Sequence, residues 1–583
     1  MGATSPIFPC LTMPLLSLGL AFLSIGAVAF TEAQEPLQAV SPTQRDWDVL
    51  RNAVGQRLFQ GSPFAHSCFT EEFNSTSCMS VRSGYLDEGA RSDTPGGYIQ
   101  TQWETCQTSD NDQCLLSYTN PHDISPTLPP HKCRTGSIPS YFIDVRSPRD
   151  VSAAFVFSKR TKIPLVVKNT GHDYKGRSSA PHSLALWTHN LKNITYNPKF
   201  VAEGCAKATS SPGVTVGAGV QWGEAYAFAE ANNITVVGGS DRTVGVAGGW
   251  LQGGGHGALS NTMGLGVDRV LQFKVVTPDG HYRVANACQN KDLFFALRGG
   301  GGGTFGVVLE STILASPRVT LQTVIVTFKG TTESNRELWT ILTDNGLKWA
   351  EEGWGGFSTS GIAILINPKS TKTEAAMSME PLIQFGKHLQ DTGNTSAQII
   401  VTEFPSWGAF FEAFTKDHVA VVGSSLALAS RLISKDTFKT PASRSALVSG
   451  LIAANNATPG LIILISAPSS YSSTGKTSVT DAWRSSVYHV TVVSPWDWNA
   501  TVSQKKAHYQ AASHSIDHLR KITPDAAYLN EADVNEPNHE VAFWGTHYKE
   551  LLRIKKKYDP EHLLDCWQCV GWNPKSSRFS CYI

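Results

Sequence analysis

The residues able to do chemistry in this chain gather around glycine. The first group, Asn169-Thr170-Gly171-His172-Asp173-Tyr174-Lys175-Gly176-Arg177-Ser178, follows directly on the apolar stretch Ile163 to Val167. Gly171, four residues, Gly176, then Arg177 and Ser178 approaches the spacing of an NTPase phosphate loop. Two departures argue against nucleotide hydrolysis. Arg177 stands where the phosphate-binding lysine would be, and Ser179-Ala180-Pro181-His182 does not open the helix whose dipole such a loop uses. Backbone N–H groups in a loop of this kind can still cradle the pyrophosphate of a cofactor. A second group, Gly217-Ala218-Gly219, sits between a strand and a helix like a nicotinamide-binding turn. Its third glycine, Gly223, falls one place late, and the nearest acid, Asp241, follows a glycine pair rather than a strand end. The third group is the run Gly238 to Gly257, with Thr243, Gly245, Val246, Gly248, Gly249, Gly253 and Gly254 inside it. So many glycines let a main chain wrap closely around a flat ring and its phosphates. A flexible linker would be serine-rich and polar, whereas Val244, Trp250 and Leu251 interrupt this run.

Elements that alternate between helix and strand position these groups. Ser147 as N-cap, Pro148 at N1 and Asp150 at N3 start a helix whose inner face is Val151, Ala154 and Phe155. A buried strand follows at Ile163 to Val167. Val214 to Val216 reads as a strand, Trp222 to Ala231 as a helix and Ile234 to Val237 as a strand. Arg269 to Val276 is a strand that turns at Pro278-Asp279-Gly280, and Phe305-Gly306-Val307-Val308 is a closing strand after the glycines 299–303. This is a mixed α/β or α+β domain. Thr320 to about Ser515 lacks such loops and suits a substrate domain.

With 583 residues, the chain is expected to form more than one domain. Its 49 basic and 48 acidic side chains ask for neither nucleic acid nor an anionic membrane, so the expected partner is a small molecule. Met1 to about Ala29, with the apolar stretch Leu15 to Phe30 and small residues at Ala27 and Ala29, reads as a signal peptide. No Lys or Arg precedes that stretch, which leaves an uncleaved anchor as the minor alternative. No later stretch is long and apolar enough to span a bilayer. Without Cys10 ten cysteines remain, and the cluster Cys68, Cys78, Cys106, Cys114 and Cys133 reads as disulfide stapling of the N-terminal region, with connectivity open. Sequons at Asn74, Asn193, Asn233, Asn394, Asn456 and Asn499 agree with export. Cys566-Trp567-Gln568-Cys569 could be a redox pair or half a zinc site. Nothing nearby completes a zinc tetrahedron, so a structural disulfide is expected.

Together these motifs resemble the FAD-linked oxidases of the vanillyl-alcohol oxidase and p-cresol methylhydroxylase (PCMH) superfamily, in particular the berberine-bridge-enzyme-like branch of fungal and plant secondary metabolism. The stretches Asn169 to Ser178 and Thr243 to Gly257 carry the resemblance. Ala296-Leu297-Arg298, Tyr528 to Asp533, Phe543-Trp544-Gly545 and Lys557-Tyr558-Asp559-Pro560 follow in the family's order. The resemblance implies an α+β fold of two lobes, a PCMH-type FAD-binding domain and a substrate domain on an antiparallel sheet. The implied limits are signal peptide 1–29, disulfide-stapled region 30–134, FAD-binding domain 135–318, substrate domain 319–535 and a segment 536–583 returning to the FAD domain. It also implies a covalent FAD on His172, since an exported enzyme cannot recapture lost cofactor and alkylating the ring tunes its potential. Asn169, Thr170, Gly171, Gly176, Arg177, Ser178, Thr243, Gly245, Val246, Gly248, Gly249, Gly253, Gly254, Gly257 and Val307 are then the FAD-binding positions.

Members with two covalent links carry a cysteine just before the Thr-Val-Gly segment. Here Asp241-Arg242 occupies that place and no cysteine lies between Cys205 and Cys288, so a single link is expected. Leu251 is expected near the flavin face that oxygen approaches. For the base that takes a substrate proton, Arg484, Tyr488 and His489 resemble the strand facing the flavin. Tyr528, Glu531 and Asp533 occupy the family's Tyr-x-Asn-Tyr-x-Asp segment, with Glu531 in place of its second tyrosine. Tyr488 and Tyr528 are the favoured candidates. The expected activity is oxidation of a small alcohol, amine or ring centre, with oxygen as acceptor and no metal. A flavin dehydrogenase using another acceptor and an inactive flavin- or ligand-binding protein are the alternatives. Substrate identity is not written in any motif.

Overall fold

Ser147 and Pro148 open a helix, Pro148–Thr161, in which Asp150 Oδ2 accepts from the Ser147 backbone N–H at 2.8 Å. Its inner residues Val151, Ala154 and Phe155 pack with Ile143, Leu165 and Leu186. The helix joins Tyr141–Asp144 to Leu165–Lys168, which lie parallel on either side of Leu184–Trp187, and Leu58–Gln60 adds an antiparallel outer strand. The computed structural model describes residues 42–110, 113–415, 421–473 and 475–583. The expected signal peptide and Cys10 therefore lie outside the described residues.

A second sheet contains five antiparallel strands in the order Ile194–Phe200, Ser211–Gly217, Val307–Leu314, Val270–Val276 and Tyr282–Asn286. The helix Trp222–Ala231 has the expected bounds. The strand expected over Ile234 to Val237 is only Ile234–Thr235, paired with Ser316–Pro317. Just beyond it Gly238 lies against the Trp222 ring, where a Cβ would come within 2.4 Å. The glycine run is also not wholly irregular, since Gly249–Gly253 makes a short helix.

The third sheet has seven antiparallel strands, in the order Gln398–Phe404, Leu321–Thr327, Ile362–Asn367, Gly355–Thr359, Ile462–Ile465, Ser486–Trp496 and Ser425–Ser434. Helices Thr332–Glu352, Pro441–Ala457 and Val502–Arg520 cover one face, sharing a core through Leu342, Leu451, Ile516, Val490 and Val492. Side chains of the opposite phase, such as Thr491 and Val493, face a cavity. With both faces covered, the strand Ser425–Ser434 is buried along its whole length. Its outer edge is closed by the N-terminal region. Gln102 donates to Leu426 O at 2.7 Å and accepts from Leu426 N at 3.1 Å, which satisfies backbone groups an edge strand would otherwise expose.

The architecture is α+β with two sheets in the first half and the large antiparallel sheet in the second. Residues 41–583 form one compact unit. Disulfides Cys68–Cys78 and Cys114–Cys133 staple the N-terminal region as expected, but Cys106 pairs with Cys581 and ties that region to the C-terminus. Cys205–Cys288 and Cys566–Cys569 complete five bridges. The C-terminal helix Tyr548–Tyr558 returns to the glycine loops. Lys555 Nζ donates to Thr304 O at 2.7 Å, and Trp544 Nε1 donates to Gly299 O at 3.0 Å.

Candidate active site

A cavity of about 530 Å³ lies between the glycine loops and the free face of the large sheet. That volume suits a bound organic molecule. Asn169, Thr170, Gly171, His172, Arg177, Ser178, Gly245, Gly248, Gly249 and Gly257 all reach its wall. Asn169 locks two loops together. Its side chain lies where a Cβ at Gly245 would come within 1.8 Å of Oδ1, and its Nδ2 donates to Thr188 Oγ1 at 3.1 Å. Gly176, in the left-handed region at φ 69°, lies against the Trp103 ring, where a Cβ would come within 2.2 Å. It shapes the loop from behind.

The remaining expected FAD-binding positions stand behind the wall. Gly253 and Gly254 back Asn530 and Tyr528, and Val246 lies in the core. Val307 is a correction. Strand alternation turns it into the core with Val276 and Leu309 and presents its neighbours Gly306 and Val308 to the cavity. Leu251 likewise points into the core, and Trp250 and Gln252 face the cavity in its place.

His172 is held in a defined tautomer. Thr243 Oγ1 donates to Asp241 Oδ1 at 3.1 Å and therefore accepts from His172 Nε2 at 2.6 Å. The proton assigned to Nε2 leaves Nδ1 with a lone pair. Burial lowers the imidazole pKa, against the pull of Asp241, and so favours the neutral ring. Behind this chain stands Glu88, which sequence reasoning did not select. Donor atoms of Glu88, Asp241 and His172 lie within 4.8 Å of one another. Burial, and next the Asp241 charge, push the Glu88 carboxyl up to about 8.

A second cluster occupies another part of the wall. Glu531 accepts from His489 Nε2 at 2.7 Å and from His256 Nε2 at 3.1 Å. Burial alone would raise its pKa, but the two imidazoles hold the carboxyl well below its usual range. Both Nδ1 atoms are buried without a partner. Tyr528 lies against both imidazole rings. Its oxygen accepts from Gly255 N at 3.2 Å and Asn530 Nδ2 at 2.7 Å, and burial raises its pKa. Both clusters have donor spacing a metal could use; in the second, hydrogen bonds engage the facing atoms, whereas in the first Glu88 Oε2 and Asp241 Oδ2 are buried without a hydrogen-bond partner.

Of the expected catalytic residues, Tyr528 reaches the cavity wall and His489 stands directly behind it through Glu531. Tyr488 and Arg484 are elsewhere. Tyr488 projects from the helix-covered face, donates to Leu342 O at 2.6 Å and packs on Phe438. Arg484 forms a two-pronged ion pair with Asp268, both contacts at 2.7 Å. His256 was visible in the sequence as the one imidazole of its glycine run. Glu88 gave no local signal.

The wall also tests whether FAD fits. Asn169 Oδ1, Arg177 Nη1, Ser178 Oγ and Gln252 Oε1 are buried, lack partners and belong to wall residues, so donors and acceptors are left over for a polar ligand. A Cβ at Gly249 would meet nothing within 4 Å, leaving its backbone open. These residues fit the phosphates, ribityl chain and flat ring of FAD.

The fold and this cavity are those of a flavin-linked oxidoreductase. Residues 139–286 match the FAD binding domain family, and residues 527–570 match the family described as berberine and berberine like. FAD-linked oxidoreductase ffsJ of Aspergillus flavipes is 36% identical, with 92% of this chain and 93% of that protein covered. The VAO-type flavoprotein MtVAO615 of Myceliophthora thermophila C1 is 27% identical. It superposes with a TM-score of 0.81 over 93% of this chain and 98% of its own. The glucooligosaccharide oxidase of Acremonium strictum, described with a 6-S-cysteinyl, 8α-N1-histidyl FAD, is 19% identical. It shares the fold, with a TM-score of 0.58 over 74% of this chain and 91% of its own. The chain belongs to the berberine-bridge-enzyme-like family of FAD-linked oxidoreductases.

Proposed function

We propose that this chain is an exported oxidase that holds FAD through one covalent bond to His172 Nδ1 and oxidises a small organic substrate, with oxygen as the final acceptor. The observation that carries the covalent link is the His172, Thr243 and Asp241 chain, which leaves Nδ1 as the nucleophilic nitrogen on the cavity wall. A second link has no residue to form it, because every described cysteine is paired in a disulfide. Five disulfides support export, since such bridges persist in oxidising compartments. No described helix is long and apolar enough to cross a membrane.

In this reading 135–318 with the returning 536–583 hold the cofactor and 319–535 shape the substrate side. Asn169, Arg177, Ser178 and Gln252 bind and orient it, and the apolar sheet wall excludes water. Bound FAD supplies a two-electron acceptor.

The test is the visible spectrum before and after acid precipitation, for wild type and His172→Ala. Yellow colour should stay with the wild-type pellet and leave with the variant's supernatant. Exposure of the substrate-reduced protein to air should then restore the colour and release peroxide. A colourless wild-type pellet refutes the covalent link, and reduced protein that stays bleached in air refutes the oxidase assignment.

A further inference from the structure

We propose that Lys175 positions the loop carrying His172 for attachment of FAD, and that the bridges Cys106–Cys581 and Cys566–Cys569 serve this by fixing the partners of its carbonyl and its amine. The proposal rests on the reading of His172 as the attachment point. The loop has two sides. His172, Asp173, Tyr174, Arg177 and Ser178 reach the cavity wall, whereas Lys175 does not and is wholly buried behind it. There, two parts of the chain far apart in sequence grip consecutive residues of the loop. Trp103 Nε1 donates to Tyr174 O at 3.1 Å, and the Tyr582 hydroxyl donates to Lys175 O at 2.7 Å. Trp103 and Tyr582 also pack on each other, with ring centroids 5.0 Å apart. They lie close in sequence to Cys106 and Cys581, and the bridge between those cysteines pins the two grips together across 475 residues of chain.

The lysine side chain completes the grip. Its Nζ donates to Gln568 Oε1 at 2.8 Å and lies 4.2 Å from the centre of the Phe543 ring. Burial, and next the Arg177 charge, pull its pKa well below the usual lysine value, and loss of the acceptor would leave a buried donor unmatched. Gln568 in turn holds a left-handed backbone, at φ 51°, which a residue with a Cβ rarely adopts. It lies inside the turn that Cys569 N closes on Cys566 O at 3.0 Å, and the same two residues are bridged. The bridge therefore holds the residue that presents its Oε1 to Lys175.

Attachment needs the loop in one place. The His172 Nδ1 lone pair forms a bond to the ring methyl carbon of the flavin, and one methyl C–H bond breaks. That proton and the Nε2 proton leave, and the two electrons of the C–H bond pass through the flavin to oxygen, which becomes peroxide. The nitrogen must meet that carbon along a defined line, and about an ångström of misplacement costs on the order of 10²-fold in rate. Noncovalent binding is more tolerant, because it draws on many contacts along the cavity. Lys175 and Gln568 touch neither the cavity nor the reacting atoms, so they are positioning residues, and their loss acts on attachment rather than on affinity.

The test adds FAD to the full chain purified from flavin-starved cells. Binding is followed by the fast change in FAD fluorescence, and attachment by the flavin that stays with acid-precipitated protein. Gln568→Leu and Lys175→Met should attach FAD about 10- to 100-fold more slowly than wild type, with affinity unchanged. Gln568→Glu, which keeps an acceptor for the amine, should recover most of the rate. Cys566→Ser with Cys569→Ser should behave as Gln568→Leu. Removing Cys205–Cys288, which ties loops of the five-stranded sheet, should lower the melting temperature and leave attachment at the wild-type rate. Tyr582→Phe deletes one hydroxyl and no bridge, and should also slow attachment even if a cysteine variant fails to fold. Wild-type rates in Gln568→Leu and Lys175→Met, no recovery in Gln568→Glu, or equal slowing without Cys205–Cys288 overturns the proposal. A wild-type chain that never retains flavin after acid overturns the preceding reading and this one together, whereas acid-stable wild-type flavin with unslowed variants overturns this one alone.

Discussion

Two buried carboxylate and imidazole clusters face one cavity, and they treat their protons in opposite ways. At His172 a carboxyl, Glu88, is buried beside another carboxyl and is pushed up to about 8. At the other cluster Glu531 is buried between two imidazoles and is held well below its usual range. Both acids are glutamates, and burial by itself pushes both upward. The sign of the neighbours decides which acid keeps a proton and which gives it up. The first cluster fixes a tautomer and the second holds a stabilised carboxylate.

The largest break in this comparison should come from His172→Ala. It removes the nucleophile and should abolish acid-stable flavin, leaving any FAD dissociable in the supernatant. Next is Asp241→Ala, which leaves Thr243 without its acceptor and frees His172 Nε2 from a fixed partner. Covalent incorporation, followed by the flavin fluorescence of the denatured protein band after adding FAD, should slow by about tenfold, the low end of what an orienting partner contributes.

The smallest effect concerns Glu88 and is a matter of pH. Its folded pKa is raised from 4.5 to about 8, so the proton it holds favours the folded state fully below pH 4.5, and that contribution is lost as pH rises through 8. Glu88→Gln cannot ionise. In thermal melts it should match wild type near pH 5 and exceed it by about 1–2 °C at pH 9, the shift that roughly 1 kcal/mol gives in a chain of this size. Equal melting temperatures at both values would remove Glu88 from the comparison.

Local features were legible in the sequence. Trp222–Ala231 and the start at Pro148 follow from capping and periodicity, and the glycine loops reach the cavity because their composition permits little else. The choice between Tyr488 and His489 was not legible. Both faces of Ser486–Trp496 are covered, so its apolar run carries no phase from which to tell the cavity side from the helix side. Cys106–Cys581 and the approach of Glu88 to Asp241 join parts of the chain far apart in sequence, and no local pattern encodes such a meeting. Glu531 stood out only as a departure from a pattern. Its two histidines, one from a glycine run and one from a strand, become partners only in three dimensions.

The most direct measurement of the central claim is peptide mapping of the purified chain by mass spectrometry, with flavin fluorescence as the guide. The account predicts one fluorescent peptide, containing His172, heavier by the mass of the flavin and fragmenting at that residue. A flavin-free His172 peptide from protein that is yellow before digestion, or a flavin attached at any other residue, would contradict it.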